Sequence, residues 1–191
     1  MATLTIFDVD DTLFKTAALV HVFLDGRKVY SLNSQELVDH KLKDGESYDF
    51  SQFKCSTMFV ETATPIESMI NEARKIVKKS GDPRSKAVII TARPWMDDMK
   101  KFIKVFHDHG LDIDEMNFHC VGDNNVVTTA EAKKFIVGTY LSDGEFDKVR
   151  IYEDNSENIH AFLELKRYKA FEHIEFEAYR VTSRGEVKRF V

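Results

Sequence analysis

The chain has 191 residues, of which 43% are hydrophobic and 31% charged, with a net charge of −5. That balance suits one globular domain with enough apolar mass for a real core, and it excludes a low-complexity or disordered chain. No apolar run approaches the ~20 residues of a membrane helix, and the acidic balance does not favour bulk nucleic-acid binding, although a local basic groove stays open.

The elements follow in chain order. Leu4 to Val9 is a short apolar run suited to a strand covered on both faces. The chain thus starts almost at once with a strand and then acids, so no leader is expected. His21 to Leu24 and Arg27 to Leu32, joined by Asp25-Gly26, predict a β-hairpin. Asn33 or Ser34 is placed to cap a short helix reaching about His40. Lys43 to Gln52 reads as polar and irregular, and Phe53 to Thr62 is ambiguous. Thr64-Pro65 is expected to open a helix with Ile66, Met69, Ile70, Ala73 and Val77 on one face, ending near Ser80-Gly81.

Ala87 to Ile90 predicts a second buried strand that ends at Thr91-Ala92-Arg93. Pro94 is expected to start the next helix, carried by Trp95, Met99, Phe102, Ile103 and Phe106 and stopped at Gly110. Asn117 to Val121 is a third strand. Thr128 or Thr129 caps a helix containing Phe135, Ile136 and Tyr140. Val149 to Tyr152 is a fourth strand, and Ile159, Phe162, Leu163 and Leu165 mark the helix after it. His173 to Val181 and Glu186 to Val191, joined through Ser183-Arg184-Gly185, predict a C-terminal antiparallel hairpin. The repeated strand–helix–strand units imply an α/β chain in three layers, a largely parallel sheet with helices on both faces. Cys55 and Cys120 lack CxxC spacing and read as reduced core thiols of a cytoplasmic protein, a disulfide between them staying open.

Ligands of such sheets bind beyond the carboxyl ends of the strands, and three strand ends here carry reactive groups. Asp8 and Asp10 are two residues apart, so in an extended segment they share a face. Two unpaired acids that close repel, and a divalent cation removes the objection. Thr91 and Arg93 end the second strand and Glu153-Asp154 the fourth. Lys133 lies in the first turns of the helix leading into that fourth strand. Each has a structural reading alone: a turn hydroxyl, a solvated lysine, a helix cap. Their joint occurrence at the right ends of their elements points to one site.

In these residues the chain resembles the haloacid dehalogenase superfamily of aspartate-nucleophile phosphatases. Asp8-Val9-Asp10-Asp11-Thr12 is similar to the first motif, Ile89-Ile90-Thr91 to the second, Lys133 to the third and Tyr152-Glu153-Asp154 to the fourth. Glu153-Asp154 departs from the commoner paired Asp. Lys134 adjoins Lys133, and helical spacing from Thr129 to Ile136-Val137 prefers Lys133. The resemblance implies a single Rossmann-like domain spanning 1–191, with a small flap or minimal cap at about 15–63. It further implies a phosphomonoesterase working through an aspartyl-phosphate. Asp8 would attack phosphorus; Mg²⁺ would be held by Asp8, Asp154 and the Asp10 carbonyl, with Glu153 in support. Asp10 would protonate the leaving alcohol and then deprotonate water. Thr91 and Lys133 would bind the phosphoryl oxygens, and Thr12 would fix the turn. Arg93 has the fork for a second phosphate contact or for a structural salt bridge.

The overall pattern is similar to small phosphatases of nucleic-acid repair and to the phosphatase module of polynucleotide kinase-phosphatases. A nucleotide or polynucleotide-end phosphate is therefore the expected substrate, with no membrane and no obligate protein partner. The alternatives are a phosphotransferase of the same fold and an inactive binding protein. A rival fourth motif at Cys120-Val121-Gly122-Asp123 would reverse the family's motif order. His107 and His109 fit a helix C-terminus better than a metal site. The basic run from Arg74 to Lys86 falls at the opposite sheet edge, leaving Lys15, Arg27, Lys28 and Arg93 as a phosphate-tracking rim, with Tyr30 and Phe23 as possible stacking partners.

Overall fold

In the computed structural model, residues 1–79, 82–123, 126–182 and 184–190 are described, without the side chains of Gln35, Val38, Asp39 and Lys79. In chain order the elements are β1 (Thr3–Phe7), β2 (Phe14–Lys15), β3 (Val20–Leu24), β4 (Arg27–Leu32), α1 (Ser34–Asp39), β5 (Glu46–Asp49), α2 (Ser51–Lys54), α3 (Ser56–Thr62) and β6 (Thr64–Pro65). They continue with α4 (Glu67–Lys79), β7 (Lys86–Thr91), α5 (Met99–Asp108), β8 (Phe118–Cys120), α6 (Thr129–Asp143), β9 (Lys148–Glu153), α7 (Ser156–Glu164), β10 (Glu175–Val181) and β11 (Val187–Arg189). The expected helix stop at Ser80-Gly81 and the turn residue Ser183 fall outside the described residues.

The main sheet has six strands in the order β11-β10-β9-β1-β7-β8. All neighbours run parallel except β11, which pairs antiparallel with β10. Alternation along the strands sends side chains to two cores. Phe7, Ile89 and Tyr152 face α4 and α5, whose Met69, Ile70, Phe102 and Phe106 close that side. Leu4, Ile6, Val88 and Ile151 face α6 and α7 through Val137, Leu141, Ile159 and Phe162. The chain is thus α/β, a mixed, mostly parallel sheet between two helical layers. No helix among the described residues is long and apolar enough to cross a membrane.

The order of the strands decides where a site can form. From β1 the chain moves outward through β7 to β8, then returns to lay β9 on the other side of β1. In sheets of this kind ligands bind beyond the carboxyl ends where the direction reverses, and here that point lies between β1 and β9.

Several local expectations change. Thr64-Pro65 does not open a helix: it pairs with Phe14–Lys15, and α4 starts two residues later. The Ile66 N–H donates to the Leu13 carbonyl at 2.9 Å, which closes the neck of the inserted segment. The helix expected from Pro94 begins at Met99 instead, because the Asp98 carboxylate caps it by accepting the Lys101 N–H, and Trp95 is left 56% exposed on the preceding loop. Lys43 to Gln52 contains a strand, β5, which no apolar alternation announces. It pairs with the central hairpin strand β3 to make a three-stranded sheet in the order β4-β3-β5. The hairpin itself turns at Asp25 and Gly26, both at positive φ as a type I′ turn requires.

The ambiguous Phe53 to Thr62 forms most of α2 and α3. Phe59 from α3 is buried among Phe14, Phe102 and Phe106, meeting the first edge-on, the second tilted and the third stacked. α3 therefore anchors on the core through Phe59 and Ser56, while α2 beside it buries no residue.

Candidate active site

Asp8 follows β1 directly, and its N–H donates to the Tyr152 carbonyl of β9 at 3.1 Å. This bond carries the β1–β9 register one step beyond the strand and sets Asp8 beside Glu153. Residues 9–14 then fold back: Leu13 and Phe14 both donate to the Val9 carbonyl at 2.9 Å, and Asp11 adopts a left-handed φ of 58°. Asp11 tolerates that conformation better than most residues, and its carboxylate accepts the Ser34 hydroxyl at the start of α1.

Lys133 lies on the buried stripe of α6 with Ala132, Val137 and Leu141. Its ammonium donates to Asp8 Oδ1 at 2.7 Å and to Glu153 Oε2 at 2.8 Å. Lys134 points the other way, to Glu131 and Glu164 on the surface. The choice between adjacent lysines thus falls on Lys133. Glu153 Oε1 accepts from the Asn158 amide and the Asn155 N–H, so both its oxygens are engaged. Asn155, rather than Glu153 or Asp154, caps α7.

Asp8, Glu153 and Asp154 offer carboxylate oxygens that all lie within 4.8 Å of one another. One lysine faces three acids, and their titration reports the imbalance. Burial, then the charge of Glu153, push Asp8 up to about 7 against the pull of Lys133. Burial, then Asp8 and Glu153, push Asp154 up to about 9. Burial disfavours the Lys133 charge, but Asp8 and Glu153 outweigh it and hold the ammonium above the ordinary lysine range. Oxygen donors crowded to this degree could hold a metal ion.

A pH dependence follows. An acid whose pKa is raised on folding binds its proton more tightly in the native state, so stability falls as pH rises from the unfolded value to the folded one. For Asp8 and Asp154 that window runs from the ordinary carboxylate value of 3.8 up to about 7 and about 9. Protein freed of divalent cations is expected to lose melting temperature steadily from pH 5 to pH 9, and millimolar Mg²⁺ should flatten the slope, with the larger gain at pH 9. Parallel slopes with and without the cation would contradict a cation at this cluster.

The remaining expected residues sit around this centre. Thr91 is buried at the end of β7, next to β1, and its Oγ1 accepts the Arg93 N–H at 3.1 Å while its own proton stays available to donate. Asp10 is not in the acid cluster; both of its oxygens are taken by the Arg93 guanidinium, at 2.7 and 2.9 Å. Of the two readings for Arg93, the geometry gives the salt bridge. Thr12 is fully buried, and its Oγ1 is without a hydrogen-bond partner among the described residues.

The rival acid Asp123 follows β8, the outermost strand, and accepts the Trp95 N–H at 2.7 Å, away from the cluster. Gly122 makes that junction possible, since a Cβ there would fall 2.2 Å from the Ala92 carbonyl oxygen. His107 and His109 bond the Ile113 and Val105 carbonyls at the end of α5. Of the proposed rim, Arg27 and Lys28 are exposed at the hairpin tip, whereas the Tyr30 hydroxyl is held by His40 and Glu46. That Arg93 would pair with Asp10 was not readable from the sequence. The only prior signal was an acid two residues past Asp8 and an arginine two past Thr91.

A scan against protein-family models, a search of curated proteins and a search of solved structures each find no match to this chain.

Proposed function

We propose that the chain is a Mg²⁺-dependent phosphomonoesterase of the haloacid dehalogenase type, acting on a nucleotide or polynucleotide-end phosphate through an aspartyl-phosphate on Asp8. The observation that carries the reading is the convergence of Asp8, Lys133, Glu153 and Asp154, from three separate elements, on one crevice at the carboxyl ends of β1 and β9. Numbering the parallel strands one to five along the chain gives the order 5-4-1-2-3, which is compatible with a Rossmann-like sheet.

Asp8 and Asp154 would hold the cation with the Asp10 carbonyl, and Glu153 supports the cluster by engaging Lys133. When bound, the cation would neutralise charge on the phosphoryl group. Lys133 holds the Asp8 carboxylate in one orientation and offers a positive charge to the phosphoryl oxygens. Thr91 donates its hydroxyl to the same oxygens. Asp10 supplies the proton for the departing alcohol and later removes one from water. The nucleic-acid-type substrate class follows from the resemblance.

The test is phosphate release from p-nitrophenyl phosphate, nucleoside monophosphates, sugar phosphates and oligonucleotides phosphorylated at the 3′ or 5′ end, with Mg²⁺ or with EDTA. Release that requires Mg²⁺ and is fastest on a nucleotide or an oligonucleotide end is the expected result. Cation-independent release, or none from any member of the panel, would refute the reading.

A further inference from the structure

Arg93 is 1% exposed, and its guanidinium makes four hydrogen bonds, none of them to the acid cluster. Nε and Nη2 grip Asp10 Oδ2 and Oδ1 at 2.9 and 2.7 Å. Nη2 also reaches Thr16 Oγ1 at 3.2 Å, and that hydroxyl donates to Asp10 Oδ1 at 3.0 Å. Nη1 donates to the Phe53 carbonyl at 3.0 Å, and the guanidinium carbon lies 5.1 Å from the Phe53 ring centroid and 4.7 Å from that of Phe59. Its backbone N–H holds Thr91.

The wall behind Arg93 is itself bolted to the core. Ser56, which opens α3, donates its N–H to Asp97 at 2.8 Å and its hydroxyl to the Asp98 carbonyl at 2.9 Å, and the Asp97 N–H donates to the Lys54 carbonyl at 3.0 Å. A planar fork fits both oxygens of one carboxylate and fixes its plane.

We infer that Arg93 is a positioning residue that sets the orientation of Asp10 for proton transfer, with residues 53–59 of the inserted segment as its backstop. This rests on the reading of Asp8 as nucleophile and Asp10 as acid–base. The inserted segment thereby becomes part of the proton-transfer apparatus as well as a cover. Arg93 acts through Asp10, so its influence falls on both proton transfers, of which only the one to the leaving oxygen depends on the ester. That step matters for alkyl phosphates, whose alkoxides leave badly, and little for aryl phosphates, whose phenolates leave unaided.

The experiment compares wild type, Arg93→Lys, Asp10→Asn and the double variant on an alkyl and an aryl phosphate. Arg93→Lys keeps the charge and loses the fork. It is expected to lower kcat on the alkyl ester by roughly 10- to 10²-fold, to change KM little, and to spare kcat/KM on the aryl ester, which reports formation of the phosphoenzyme and not its hydrolysis. In the Asp10→Asn background the same change should have almost no further effect, because residues acting as a unit are non-additive. Guanidinium chloride at tens of millimolar should partly restore Arg93→Ala. Should the Arg93 variants fail to fold, Thr16→Val removes one donor from Asp10 alone and must show the same leaving-group bias on a smaller scale.

Raised KM with multiplying losses in the double variant would mean that Arg93 touches the phosphate, and equal losses on both esters would mean a purely structural role. Either result overturns the inference while the phosphatase reading stands. Wild-type release that Asp8→Asn leaves unchanged would overturn that reading, and this inference with it.

Discussion

Asp8→Asn is expected to abolish Mg²⁺-dependent phosphate release, with a loss of roughly 10⁴-fold or more, the scale seen when a covalent nucleophile is removed. The amide is close in shape, so the fold should survive, but it cannot attack phosphorus. It also removes one negative charge from a cluster in which Asp8 and Asp154 are both pushed up by burial and by neighbouring acids. The variant should therefore melt no lower than wild type at pH 8 without divalent cations. Loss of turnover with a retained melting temperature separates chemistry from folding. Equal phosphate release by wild type and Asp8→Asn, each purified to constant specific activity, would remove Asp8 from the reaction.

Lys133→Met is expected to have the largest effect on stability. The ammonium is buried and lies 2.7 and 2.8 Å from two carboxylates that are themselves buried. Removing one member of such a pair leaves uncompensated charge at about 3–5 kcal/mol, or roughly 10 °C of melting temperature in a domain of this size. The sign of the relief is specific: lower pH protonates the acids and Mg²⁺ supplies the missing positive charge, so both should recover part of the loss. Lys134→Met is the control. Its partners Glu131 and Glu164 lie on the helix surface, where such pairs contribute about 0–1 kcal/mol. Similar melting temperatures for the two variants would mean that Lys133 is not carrying the charge balance of the site.

On the proposed function, a cation and a lysine would divide the oxygens of this cluster between them. Lys133 takes Asp8 Oδ1 and Glu153 Oε2, and Glu153 Oε1 is occupied by Asn155 and Asn158. Among the described residues, Asp154 makes no such bond, and the second oxygen of Asp8 is likewise uncommitted. Those are the oxygens with capacity for a hard cation. On the proposed function, Glu153 would support the lysine and Asp154 would be the ligand.

What the amino-acid sequence determined by itself was local: which stretches run apolar at period two or 3.6, which turns demand Asp-Gly, and which acids and hydroxyls stand at strand ends. Periodicity preferred Lys133 to Lys134 without deciding between them, and α6 buries the first with Ala132, Val137 and Leu141. It failed at β5 and α2, whose residues are polar or short of a full turn pattern and owe their form to β3 and the core beside them. Tertiary structure alone decided that β9 lies against β1, that Glu153 serves Lys133, and that Arg93 serves Asp10 from 83 residues away. Period and composition report which way a side chain faces. They carry no record of the distant group it will meet, since that depends on strand order and on which charges must share the same buried space.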